Sequence, residues 1–163
     1  MRNFIKSSIL LTAMVFVFIS CTKDDNDDDN PSNSKTNTEY LTAGYWKVTA
    51  MTVNPGIFGI TDFYAQMPPC TQDDLIRFNA NGTITDDEGA TKCDQGDPQT
   101  VNEGTWVMSQ DNQSFTIDYP DEDPITFNIV TINDNTFSGT YTSVEDFGVG
   151  PITYTYTVTM TRQ

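Results

Sequence analysis

The chain has 163 residues, the length of one domain, with 23 Asp and Glu against eight Lys and Arg, no histidine and a formal net charge of −15. That balance excludes nucleic acid, whose phosphates need a basic footprint, and electrostatic docking on anionic lipid. The missing histidine removes the usual general base, the Ser-His and Cys-His pairs and the commonest zinc ligand.

The first thirty residues read as an address. Arg2 and Lys6 precede an apolar run from Ile9 to Ile19, and Ser20-Cys21 follows. A basic start, a short apolar stretch and a small residue define a secretory signal. The run is shorter than the ~20 residues a membrane-spanning helix needs. Phe18-Ile19-Ser20-Cys21 resembles the lipobox of bacterial lipoproteins, which implies that residues 1–20 are a signal peptide and that Cys21 becomes an acylated N-terminus. Asp24-Asp25-Asn26-Asp27-Asp28-Asp29 resembles the signal that sends lipoproteins of Bacteroidetes to the cell surface. The expected location is therefore the outer membrane, lipid-anchored and surface-exposed, with outer-membrane lipid as a partner. Loss of Arg2 and Lys6 would leave a charge of (8 − 2) − 23 = −17. Residues 21–43 are polar up to Tyr40 and Leu41 and read as the lipidated cysteine and a disordered acidic linker. Asp25-x-Asp27-x-Asp29 lacks the glycine and the final glutamate of a calcium loop, so no metal site is assigned there.

From Gly44 to Gln163 the chain reads as strand, turn, strand. Strands are expected near 45–53, 73–79, 83–88, 102–109, 114–119, 125–132, 136–142 and 152–162, on period-two alternation and recurrent Thr, aromatic and β-branched residues. In the last, Ile152, Tyr154, Tyr156, Val158 and Met160 oppose a row of threonines. In the first, Trp46, Val48 and Ala50 oppose Lys47 and Thr49. One buried and one wet face per strand means an antiparallel sheet. Three connections are tight Asn, Asp and Gly turns: 79–82, 110–113 and 133–135. Four are long: 54–72, 89–101, 120–124 and 143–151. Long and short alternate, so an up-and-down arrangement gathers the long loops at one end and the tight turns at the other. The fold class is all-β, an eight-stranded antiparallel up-and-down barrel over 44–163 of the size that holds one small ligand.

With Cys21 acylated, Cys70 and Cys93 remain as an even pair in an oxidising compartment, both in long loops at the same end. A disulfide is expected; two buried free thiols are the alternative.

Gly44-Tyr45-Trp46 resembles the Gly-x-Trp motif that opens the lipocalins, and Arg162 resembles the basic residue that packs across that tryptophan. The order Cys70, Asp73 to Gly82, Cys93, Gly104-Thr105-Trp106 is similar to the lipocalin-like lipoproteins of Bacteroidetes. The resemblance spans 44–163 and implies a lipocalin-like barrel. Closing eight antiparallel strands also brings the start of the first beside the end of the last, so Trp46 and Arg162 are expected to plug the closed end.

Carboxylates cluster at Asp86-Asp87-Glu88 and Asp121-Glu122-Asp123, both taken as solvated surface. No catalytic residue, cofactor or metal is assigned, and the protein is expected not to be an enzyme. The segment from Pro55 to Tyr64 is unusually apolar for a loop. By resemblance the first connection of such a barrel is the lid, and Thr61 is expected to cap a helical turn ending at Pro68-Pro69. Ligand contacts are therefore expected from Ile57, Phe58, Ile60, Phe63, Tyr64 and Phe147 at the mouth and from Tyr154 and Tyr156 on the inward face. The expected function is surface-anchored binding of a small, mainly apolar molecule. The alternative is a filled barrel whose mouth loops bind a protein or glycan.

Overall fold

The last strand carries the two-residue period through the whole domain. In the computed structural model, which describes residues 34–163, strand β10 (Ile152–Arg162) buries Tyr154, Tyr156, Val158 and Met160 and exposes Thr153 and Thr155. The signal segment, Cys21 and the acidic run lie outside the described residues. The other strands are β1 (Tyr45–Ile57), β2 (Ile60–Asp62), β3 (Leu75–Phe78), β4 (Ile84–Asp87), β5 (Thr100–Val101), β6 (Thr105–Met108), β7 (Ser114–Asp118), β8 (Ile125–Ile132) and β9 (Thr136–Glu145). All pairings are antiparallel, in the order β5-β4-β3-β1-β10-β9-β8-β7-β6.

The two ends of that order meet. Ile84 donates its amide to the Gly104 carbonyl and Trp106 to the Gly82 carbonyl, each at 2.8 Å, around a bridge between Thr83 and Thr105. β5 and β6 are thus one barrel strand interrupted at Asn102–Gly104, both halves facing β4. Eight barrel strands match the expected eight. The extra element is β2, which folds back on β1.

Two local departures re-aim side chains. A bulge between Val48 and Ala50 inserts one residue into β1 against β10. The inward set therefore runs Trp46, Val48, Met51 and Val53, and the expected inward Ala50 is displaced. A helical turn does follow β2, at Tyr64–Gln66, but its free amide at Ala65 is taken by Asp62 and not by Thr61. Pro68-Pro69 does not merely stop it. Pro69 opens a second helix, α2 (Pro69–Gln72), where its missing N–H costs nothing.

The fold begins before Gly44. Helix α1 (Asn37–Leu41) carries a capping box in which the Thr36 hydroxyl accepts from the Glu39 amide and the Glu39 carboxylate accepts from the Thr36 amide. Leu41 is fully buried in the main core. The linker expected through residue 43 therefore ends earlier, because Leu41 supplies the apolar anchor that the preceding residues lack. α1 lies over the tight-turn end: Asn37 and Thr38 donate to Asn112, and Lys35 pairs with Asp134. Trp46 pairs with Arg162 across β1 and β10, its ring 5.0 Å from the guanidinium, and donates Nε1–H to the Leu41 carbonyl. Arg162 donates to the Tyr40 carbonyl. Trp46 and Arg162 thus pack together at the end of the barrel where α1 lies. Above it Phe78, Trp106, Phe115, Phe127 and Phe137 meet edge-to-face or stacked and fill the lower half of the barrel.

Candidate ligand-binding site

Above that packing the barrel is hollow on one side. A cavity of about 450 Å³ opens at the long-loop end, within the ~300–1,000 Å³ range of small-molecule sites. Trp46, Phe78, Phe115 and Met160 rise from the core as its floor, and Val48, Ile76, Ile117, Phe127, Tyr141 and Val158 form the wall. The rim is of a different character. Met67 and Thr71 come from the first long connection, Asp74 precedes β3, Asp86 and Asp87 end β4, and Glu88 and Gln99 flank the next loop.

Strand parity explains the rim. Asp74, Ile76 and Phe78 alternate on one face, as do Ile84, Asp86 and Glu88, and Ile76 sits opposite Asp86 in the ladder. Asp86, Asp87 and Glu88, expected on solvated surface, all border the cavity. The loop after β4 approaches very closely. A Cβ on Gly89, whose φ is +63°, would stand 2.1 Å from the Asp73 carbonyl oxygen. The Asp73 carboxylate clamps that loop by accepting from the amides of Ala90 and Thr91 and the Thr91 hydroxyl. Partial burial pushes its pKa up, yet these bonds win and hold it below its usual range.

Asp86 accepts from the Tyr119 hydroxyl at 2.8 Å, a bond allowed by Gly104, where a Cβ would lie 2.7 Å from the Tyr119 ring. Burial pushes Asp86 upward while the Tyr119 bond opposes it; Tyr119 is pushed well above its ordinary value by burial and by Asp86. Asp74 is raised to about 6, first by desolvation and then by the charges of Glu88, Asp73, Asp86 and Asp87. Its Oδ1 is buried without a hydrogen-bond partner.

Cys70 and Cys93 form a disulfide with Cα atoms 5.2 Å apart, tying α2 to the loop after β4. It braces the wall on which Thr71 and Glu88 lie.

The eight side chains expected to meet ligand are not brought to this cavity. Tyr154 and Tyr156 do point inward, but nearer the start of β10, where they form a second cluster with Val53, Ile57 and Phe63. Tyr156 stacks on Tyr141 at 4.6 Å, so Tyr141 stands between it and the hollow. Phe58 is 83 % exposed at the β1–β2 hairpin tip, beside Phe147 at 5.2 Å, and Ile60 is also exposed. Tyr64 is half-buried in the helical turn and offers its carbonyl to Gln72. The physical reason is that β1 runs on to Ile57 and pairs with β2, so the apolar part of the first connection stands as a hairpin. Its second half, through Met67 and Thr71, reaches the cavity.

A family model described as a lipocalin-like domain matches residues 42–139. No functionally curated protein matches the chain. Among solved structures, the chain is similar to bovine odorant binding protein in complex with a selenium-containing odorant, at 16% identity and TM-score 0.41, covering 80% of this chain and 74% of that one. The same bovine protein with its natural ligand gives 16% identity and TM-score 0.41 over 80% and 76%. Its deswapped triple mutant gives 16% identity and TM-score 0.39 over 74% and 72%.

Proposed function

Because the chain belongs to the lipocalin-like domain family, we propose that it is a non-enzymatic binding protein holding a small, mainly apolar molecule inside the barrel. The observation that carries this reading is the hollow of about 450 Å³ walled by Val48, Ile76, Ile117, Phe127 and Val158. Burial of an apolar body there contributes roughly 25 cal/mol per Å² of surface removed from water, before the cost of immobilising it. Fluorescence titration with the neutral apolar dye N-phenyl-1-naphthylamine tests it. Ile117→Trp fills the cavity and should weaken dye binding at least about tenfold, equivalent to ~1.4 kcal/mol, with the circular dichroism spectrum retained. Phe58→Asp, outside the cavity, should leave binding unchanged. Equal binding by a folded Ile117→Trp protein would overturn the reading.

One observation supports a second use of the same domain. Phe58 holds a φ of +50°, unfavourable for a bulky residue, and with Phe147 and Val149 forms an exposed apolar group on the loop end. A protein or glycan partner could dock there, and Phe58→Asp would then abolish docking while sparing the dye.

We further propose that Cys21 carries the acyl anchor and that the domain is displayed on the outer membrane. The lipobox-like Ser20-Cys21 and the acidic run behind it support this reading. Cys21→Ala should abolish metabolic labelling by a palmitate analogue; unchanged labelling of that variant would refute it.

A further inference from the structure

Among the described residues, every ionisable side chain lining the cavity apart from Tyr141 is a carboxylate: Asp74, Asp86, Asp87 and Glu88. No lysine or arginine of the described residues lines it. Among the described residues, the ion pairs join Lys35 and Arg162 to Asp134 at the opposite end of the barrel. Two of the four carboxylates are oriented by the protein. Asp86 accepts from Tyr119, and Asp87 accepts from the Gly89 amide and the Gln99 side chain. Asp74 differs, with an oxygen shielded from water and bonded to nothing. A polar atom in that state costs free energy unless something else completes it. The apolar wall below and the uncompensated charge above face the same space.

We propose that the ligand is an amphipathic organic cation, with its apolar body against Ile76, Ile117 and Phe127 and its ammonium group held at Asp74 beside Asp86. This rests on the cavity being the binding site and goes beyond it by fixing the polarity of the ligand's head. A fatty-acid anion would meet four like charges, and the strongly negative chain repels it at longer range. An alcohol would satisfy one acceptor without neutralising any charge. Among the described residues no group of three acidic side chains is placed to hold a metal ion, so the rim suits a diffuse monovalent charge better than a compact divalent one.

Competition against the same neutral dye, with decylammonium, 1-decanol and decanoate on the purified full chain at pH 7.5, tests the assignment. Decylammonium should displace dye at about tenfold lower concentration than decanol, the return expected from one charge-assisted hydrogen bond, and decanoate should be weakest. Asp74→Asn should remove most of that preference while leaving decanol within twofold; Asp86→Asn is a second variant with the same expectation. At pH 5 the preference should shrink, because Asp74, facing Asp73, Asp86, Asp87 and Glu88, titrates near 6 and is then protonated. If the dye binds and decanol competes as well as decylammonium, if none of the three competes, or if Asp74→Asn keeps the full preference, the cation assignment is overturned and the apolar site stands. If the dye itself does not bind, the underlying reading fails.

Discussion

Trp46→Ala is expected to destabilise the domain by about 3–5 kcal/mol, the cost of deleting a large buried aromatic side chain. Trp46 is fully buried, forms part of the cavity floor and carries the guanidinium of Arg162 on its face. Its Nε1–H also satisfies the last carbonyl of α1, at Leu41. Trp46→Phe separates the contributions. It keeps much of the aromatic packing but leaves the Leu41 carbonyl buried without a donor, a loss of roughly 1–3 kcal/mol. Urea midpoints read at constant m-value measure both. A loss below about 1 kcal/mol for Trp46→Ala would mean that the closed end is not part of the cooperative core.

Removal of the disulfide is the second large effect. Cys70 and Cys93 are separated by 23 residues, and the chain-entropy relation gives about 3 kcal/mol for a loop of that size. The double variant Cys70→Ser with Cys93→Ser should melt roughly 10 °C lower, taking a few degrees per kcal/mol for a domain of this length. Reduction of the wild-type protein should give the same shift. Dye affinity should fall as well, since Thr71 and Glu88 on either side of the bridge border the cavity. An unchanged melting temperature after complete reduction would show that the loops are held without the bond.

What could be read from the residues follows their physics. Period-two alternation is a direct consequence of strand geometry, so all eight barrel strands were visible, and the alternation of long and tight connections placed every tight turn at the end where α1 now sits. The Trp46–Arg162 pair rested on the resemblance to the lipocalins, with barrel closure placing the two positions side by side. Parity, by contrast, survives only until a bulge. Thr49 carries the extra residue in β1, and the apolar rhythm of Met51 and Val53 was the sign that the phase had changed. α1 escaped because five residues have no helical stability of their own, although Thr36-x-x-Glu39 before Tyr40-Leu41 is the capping-box pattern. The rim escaped for a similar reason. Three adjacent acidic residues look solvated as a run, yet extending the alternation from Ile84 puts Asp86 and Glu88 indoors. The apolar hairpin misled in the other direction, since greasy residues near a mouth need not bend over it.

The barrel is not equally knitted around its circumference. β9 and β10 are paired without a break from Glu145–Ile152 to Thr136–Thr161, whereas β3 meets β1 only at Tyr45–Arg77 and Trp46–Ile76, and β4 meets β5 only at Asp86–Val101 and Asp87–Thr100. Amide ladders that short open at low free-energy cost. The β3–β4 hairpin, which carries Ile76 and Asp86, is the least laddered part of the wall, and it is held as well by the Ile84–Gly104 and Trp106–Gly82 amide bonds and by the burial of Phe78 and Ile84 in the core. Cys70 and Cys93 stand on either side of that hairpin and close it into a covalent ring. The ring keeps the two ends of the hairpin from separating, so the thinnest part of the wall owes its place beside the cavity to covalent closure as much as to hydrogen bonds.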